Sequence, residues 1–330
     1  MKRAVPFLLL SLGFLPAFAA DIPGGGITPD HLSRHVRVLA SDAFEGRAPA
    51  TSGEEKTIAY VVDELKKAGV QPGGERGTWT QDVPLVRAQV EGAVSASLRI
   101  GSETQTLTNG DGVVLQSLSP VDRVALVDAP LVFVGYGITA PERGWDDYKG
   151  ADLKGKVAVV LVNDPDFETD APGAFDGRAV TYYGRWTYKY EELARQGAAG
   201  VLIVHETVPA AYGWATVRAS GLSPVFDIPR PDAATYHTLL RGWMQRDLAV
   251  SLFKRAGLDF EVEKRRAQTK AFTPAPLGDA TLSAAFDVER DQVVTRNVIG
   301  RLEGARRPDE TVIYSAHWDA FGIGEPDAAG

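Results

Sequence analysis

The chain has 330 residues, 44% hydrophobic and 24% charged, enough for two domains with proper cores. Its 43 acidic residues outnumber 35 basic ones, and a net charge of −8 argues against nucleic acid or an anionic membrane as partner. There is no cysteine, which excludes disulfides, thiolate ligands and a cysteine nucleophile, so any metal must be held by His and carboxylates.

The first twenty residues read as a cleaved secretory signal. Lys2 and Arg3 precede an apolar run from Ala4 to Phe18, and Ala17 and Ala19 give a small-x-small cleavage pattern. The run is short for a membrane span, and the alternative reading is an uncleaved N-terminal anchor. The mature protein is therefore expected to be exported, periplasmic or secreted, with no membrane span after signal cleavage. Gly24 to Gly26 follow as a linker.

"ITPDHLSRHVRVLA" predicts a helix capped by Thr28, with Pro29 in its first turn and Leu32, Val36 and Leu39 on one face. "SDAFEGRAPATSG" is a polar loop. "SGEEKTIAYVVDELKKAGV" predicts a second helix. Ser52 and Glu55 suit a capping box, Ile58, Val61, Val62, Leu65 and Ala68 form an apolar stripe, Asp63 and Lys67 pair, and Gly69 ends it.

The pattern then turns to strands. "VSASLRIGSETQTLTNG" predicts a β-hairpin around Gly101–Ser102. "PLVFVGYGI" and "KVAVVLVND" are short continuous apolar runs, as buried strands are. "TYKYEELARQGAAGVLIV" reads as helix, turn and strand. "DLAVSLFKRAGLDFEVEKRRA" mixes both signals. After "FTPAPLG" the strands "ATLSAAFDVERDQVVTRNVIGRLEG" and "ETVIYSAHWD" follow. Helices first, a β-rich middle and strands again at the end predict an α/β outer domain with a domain inserted between about 128 and 275.

His317 and Asp319, two apart after the predicted strand "TVIYSA", are the candidate site. Neutral imidazole binds transition metals, and a carboxylate beside it can hold the other ring nitrogen and fix the tautomer. Ligands also collect at the carboxyl ends of strands in open α/β sheets. The bland reading is a surface His beside a hydrogen-bonded Asp. His31 and His35 share helical i,i+4 spacing, but "HLSRH" lacks the Glu of the helical metalloprotease motif. His205 and His237 read as packing or surface residues. Tyr182, Tyr183, Trp186, Tyr188 and Tyr190 read as core plus ordinary surface, or as a peptide- or sugar-contacting face. No G-x-S-x-G elbow, Walker loop or dinucleotide fingerprint occurs.

Three segments then resemble one family. "HVRVLASDAFEGRAPATSGEEKTIAYVVDELKKAGVQPGG" resembles the N-terminal segment of the exported co-catalytic zinc aminopeptidases. That family includes bacterial leucyl aminopeptidase, aminopeptidases S and Y, and glutamate carboxypeptidase. "GYGITAPERGWDDYKGADLKGKVAVVLVND" and "KYEELARQGAAGVLIVHE" are similar to the protease-associated (PA) domain many of them carry as an insertion. "RNVIGRLEGARRPDETVIYSAHWDAFGIG" resembles the entry to their catalytic sheet.

The resemblance implies an α/β zinc-peptidase sandwich, incomplete in this chain, with an inserted β-rich PA domain. Residues 1–20 would be the signal, 21–127 the N-terminal peptidase segment, 128–275 the PA-like insertion and 276–330 the start of the catalytic domain. His317 would be the first zinc ligand and Asp319 the acidic residue that orients it. Two zinc ions would activate water for attack on a peptide or protein substrate, with a Glu as general base. The bridging Asp, the Glu-Glu pair, a further Asp and the final His have no counterparts here; Asp327 in "PDAAG" is assigned to the loop before the bridging segment. The chain alone is expected to be inactive, and the alternative is a non-catalytic PA-type peptide- or protein-binding module.

Overall fold

The computed structural model describes residues 26–169 and 173–324. The signal reading and Asp327 fall outside them. Two long strands, β1 (Thr80–Ile100) and β9 (Ala275–Val298), pair antiparallel from Thr80 opposite Val298 to Arg99 opposite Thr281. They join a mixed sheet with β2 (Glu103–Leu107), β3 (Val113–Gln116), β4 (Arg123–Phe133), β5 (Val157–Leu161), β6 (Gly200–His205), β7 (Val225–Asp227) and β8 (Leu240–Gln245). The order is β7-β1-β9-β4-β5-β6-β8-β3, with β2 beside β1. Strands β4, β5, β6 and β8 run parallel, and the other pairings are antiparallel. Residue 128 lies inside β4 and 275 opens β9, so the sheet is continuous across both expected boundaries.

The parallel strands are apolar throughout because both faces are covered. Val157, Val159, Leu161, Leu202 and Val204 point into one core with α5 (Arg246–Arg255) and α6 (Phe260–Ala267). Ala158, Val160, Val201 and Ile203 point into another with α3 (Trp186–Arg195) and α4 (Trp214–Leu222). The ambiguous stretch after residue 246 is thus two helices, divided where Gly257 takes φ +76°.

Two helices precede the sheet, α1 (Pro29–Leu39) and α2 (Ser52–Lys67). Thr28 caps α1 through the His31 N–H at 3.2 Å. No residue of α1 is buried, and Leu32 and Val36 on its expected core face are exposed. The hairpin turn at Gly101, the Asp63–Lys67 pair at 2.7 Å and the left-handed Gly69 all form where expected. The capping box does not. Ser52 donates instead to Glu45, and Glu55 pairs with Arg296, because the loop before α2 and the end of β9 offer charged partners that the helix terminus lacks. Along the α2 stripe Ile58 alone is buried; Gly53, Glu54 and Thr57 are buried with it.

The expected strand "TVIYSA" is not one. Val312, Ile313 and Tyr314 are exposed and take part in no ladder, since β-propensity makes a strand only where a neighbour supplies the hydrogen bonds. Among the described residues no helix is long and apolar enough to cross a membrane.

Candidate functional site

The loop before α2 is built on unusual backbone. Glu45, Gly46 and Arg47 are consecutive residues at φ 50°, 64° and 55°, and Ala50 is at 58°. Each non-glycine residue there costs roughly 1–2 kcal/mol, so the conformation persists only if its surroundings dictate it. One part of that constraint is Glu54, 1% exposed in the first turn of α2. Its carboxylate accepts from the Ala50 N–H at 2.6 Å, from the Thr295 hydroxyl at 2.7 Å and from Arg296 Nε at 3.4 Å. Lys56 and Ser52 both donate to Glu45 and hold its carboxyl below the usual range, Lys56 most strongly. Gly53 is needed because a Cβ there would lie 2.5 Å from the Phe44 carbonyl.

The same loop reaches forward to the chain around His317. Arg47 Nε donates to the Trp318 carbonyl at 3.0 Å. The Arg47 and Gly46 carbonyls accept from the N–H groups of Ala320 at 3.0 Å and Gly322 at 2.9 Å. Trp318 Nε1 donates to the Arg296 carbonyl at 3.0 Å. The first and third resembling segments therefore meet, joined through the end of β9.

His317 is 84% exposed at its side chain and Asp319 45%. His317 Nδ1 lies 3.0 Å from the Asp319 backbone carbonyl and 3.4 Å from its carboxylate. A carbonyl only accepts, so Nδ1 carries the proton, and in the neutral form of the ring the lone pair falls to Nε2. The Asp319 main chain thus lies nearer the ring than the carboxylate from which the contact is expected. This arrangement fits one imidazole metal ligand. A whole ion needs more donors, and among the described residues no group of three or more His, Asp or Glu side chains comes together for one.

The other histidines lie elsewhere. His35 Nδ1 is 2.7 Å from the Tyr60 hydroxyl of α2, while His31 is exposed. His205 is buried, donates to the Tyr212 carbonyl at 2.9 Å and packs against Trp214 and Trp243. His237 lies 2.8 Å from the Asp227 carboxylate, and burial holds its pKa down. Tyr188 and Tyr190 belong to the two cores, while Tyr182 and Trp186 are exposed.

Two charged clusters were invisible in the sequence because their members lie far apart along it. At the carboxyl ends of β6 and β8, Lys264 Nζ bridges Glu168 at 2.6 Å and Glu206 at 2.7 Å, and Arg246 joins Glu206 to Glu261. A cavity of about 370 Å³ opens beside them, but the charges of this cluster pair with each other. Beneath the turns that follow β4 and β5, Lys189 is 0% exposed and donates to the Tyr136 and Asn163 carbonyls at 2.6 and 3.0 Å. Burial pushes its ammonium down to about 7, against the attraction of Asp164 and Asp147. Burial likewise pushes Asp147 up to about 7, although the Ile138 N–H and Trp145 indole donate to it.

No protein-family model matches the chain, and no curated protein does. Solved structures do show similarity. An aminopeptidase from Aneurinibacillus sp. strain AM-1 aligns over 84% of this chain and 49% of its own, at 17% identity and a TM-score of 0.39. BSAP, a zinc aminopeptidase from Bacillus subtilis, aligns over 84% of this chain and 47% of its own, at 15% identity and a TM-score of 0.35. A second, medium-resolution structure of BSAP gives 15% and 0.35 over 83% of this chain. This chain spans about half the length of the structures it is similar to.

Proposed function

We propose that the chain is the N-terminal portion of an exported zinc-dependent aminopeptidase, with residues 128–275 as a PA-like insertion, His317 as a zinc ligand and Asp319 as the residue that orients it. The observation that carries this reading is the junction at Trp318. The "FEGR" loop of the first resembling segment grips the peptide between His317 and Asp319 of the third. Two stretches that look familiar for one reason of sequence are thereby neighbours in space.

The chemistry follows from the donors. His317 offers Nε2, because Asp319 holds Nδ1–H. Zinc bound there would supply Lewis acidity toward a peptide carbonyl and a water made acidic enough to attack it. Peptide or protein is the proposed substrate and two zinc ions the proposed complement of the whole enzyme.

The test is enzymatic. Protein purified from the host that makes it, assayed on aminoacyl-nitroanilides, is expected to show turnover that a chelator stops, zinc restores and His317→Ala abolishes. Turnover indifferent to chelator and to His317→Ala, or none on any such substrate, refutes the proposal. The 330-residue chain by itself is expected to be inactive, because one imidazole cannot retain two ions. A binding module is the second reading, favoured by the exposed rings of Tyr182, edge-on to Tyr183 and Tyr188, and of Trp186, edge-on to Tyr190. Peptide binding by a host-made protein with no turnover would favour it.

A further inference from the structure

We infer that Arg47 is a positioning residue that sets the tautomer in which His317 is presented. The inference deepens the zinc reading above, and its readout needs no metal.

From residue 302 to His317 the chain is exposed and belongs to no strand or helix. Nothing in that stretch fixes how His317 and Asp319 stand. Burial begins only at Trp318, where Arg47 acts three ways. Its guanidinium donates to the Trp318 carbonyl at 3.0 Å, its own carbonyl takes the Ala320 N–H at 3.0 Å, and a second guanidinium nitrogen donates to the Leu39 carbonyl. The peptide before Asp319 and the one after it are thus tied to a single residue. Gly46 extends the grip: a Cβ there would sit 2.2 Å from the Gly322 carbonyl, so the two backbones touch. With both flanking peptides fixed, the Asp319 carbonyl stays where His317 Nδ1–H reaches it.

Positioning also explains the strain. A loop that merely connected α1 to α2 would have no need of three successive left-handed residues, two of them with side chains. Turned this way, it points the Arg47 side chain and the Gly46 and Arg47 carbonyls at one segment, while Glu54 braces it from behind.

A histidine side chain free in water favours the Nε2–H tautomer, whose metal-binding lone pair is on Nδ1. The Asp319 carbonyl reverses that preference and frees Nε2, the nitrogen farthest from the backbone. The guanidinium therefore governs an imidazole it does not touch.

The test uses the full chain with ¹⁵N-labelled histidine at a fixed alkaline pH, where imidazole is neutral. His317 is assigned by its loss in His317→Ala. The unmodified protein is expected to show His317 chiefly as Nδ1–H. Arg47→Ala is expected to return it to the Nε2–H form, and Arg47→Lys, which keeps one donor, to fall between. Gly46→Ala, which leaves the guanidinium in place but parts the backbones, is expected to act like Arg47→Ala, and it serves if Arg47→Ala does not fold. The same tautomer in the unmodified protein and in Arg47→Lys and Gly46→Ala overturns the inference and leaves the zinc reading standing. A tautomer that changes as expected upholds the positioning role, and the zinc ligand then stands or falls separately by the chelator and His317→Ala assay on the host-made protein.

Discussion

Removing the Glu54 carboxylate should loosen the chain around His317 without touching it. Glu54 is 1% exposed and accepts two short bonds, from Ala50 N–H at 2.6 Å and from the Thr295 hydroxyl at 2.7 Å. Bonds to a charged group contribute about 1.5–3 kcal/mol each. The contact to Arg296 at 3.4 Å is long and partly exposed, and Arg296 keeps Glu55, so it is counted as nothing. Glu54→Ala is therefore expected to cost about 3–5 kcal/mol, and Glu54→Gln, which retains an acceptor of the same shape, about 1–2 kcal/mol. Urea denaturation gives the stability difference. Amide exchange at Ala50, Ala320 and Gly322 gives its location, since these three protons depend on the braced loop. A Glu54→Ala protein within 1 kcal/mol of the parent, with Ala320 and Gly322 protected as before, would show that the loop does not need this brace.

Other outcomes follow from the sheet. Lys189 has a folded pKa of about 7, below the 10.5 of an unfolded lysine. Between those values the unfolded chain holds a proton that the native one has released, so stability should rise with pH from 7 to 10. Lys189→Met should flatten that rise in melting temperature, and parallel profiles for the two proteins would refute it. Asp147, pushed up to about 7, acts oppositely below neutrality, where stability is lost as pH climbs from the ordinary carboxylate range. Phe133, wholly buried edge-on to Phe253 and Phe272 at 5.1 and 5.6 Å, should cost about 3–5 kcal/mol on truncation to Ala by urea denaturation. A loss below 1 kcal/mol would mean the core closes around the gap.

Local signals in the sequence were read well where the decisive contact is itself local. Thr28, Gly69, Gly101 and the apolar runs of β4, β5 and β6 each act within a few residues of themselves. Strand β8 was missed because "LRGWMQ" carries a Gly and an Arg, yet Gly242 is there to let the Val114 carbonyl approach. "TVIYSA" failed the other way, with strong propensity and no neighbour. Within the candidate site, His317 and Asp319 stood out as a pair two apart. Arg47 and Glu54 did not, because their partners lie 271 and 241 residues away, and a capping-box reading of α2 drew attention to Ser52 and Glu55 instead. The inserted 128–275 unit remains a reading of resemblance, set beside a sheet that runs through both of its ends.

The pairing of Thr80 with Val298 has a topological result. The polypeptide enters the sheet and leaves it at neighbouring points, and Gln71–Pro72 lies against Gly300–Arg301 just outside. A unit whose two ends already touch costs its host little to accommodate, since joining them closes no long loop. The stretch from β1 to β9 therefore has the form of a cassette. It could be cut out and rejoined, or threaded into the surface turn of another protein, with its ladder serving as the seal.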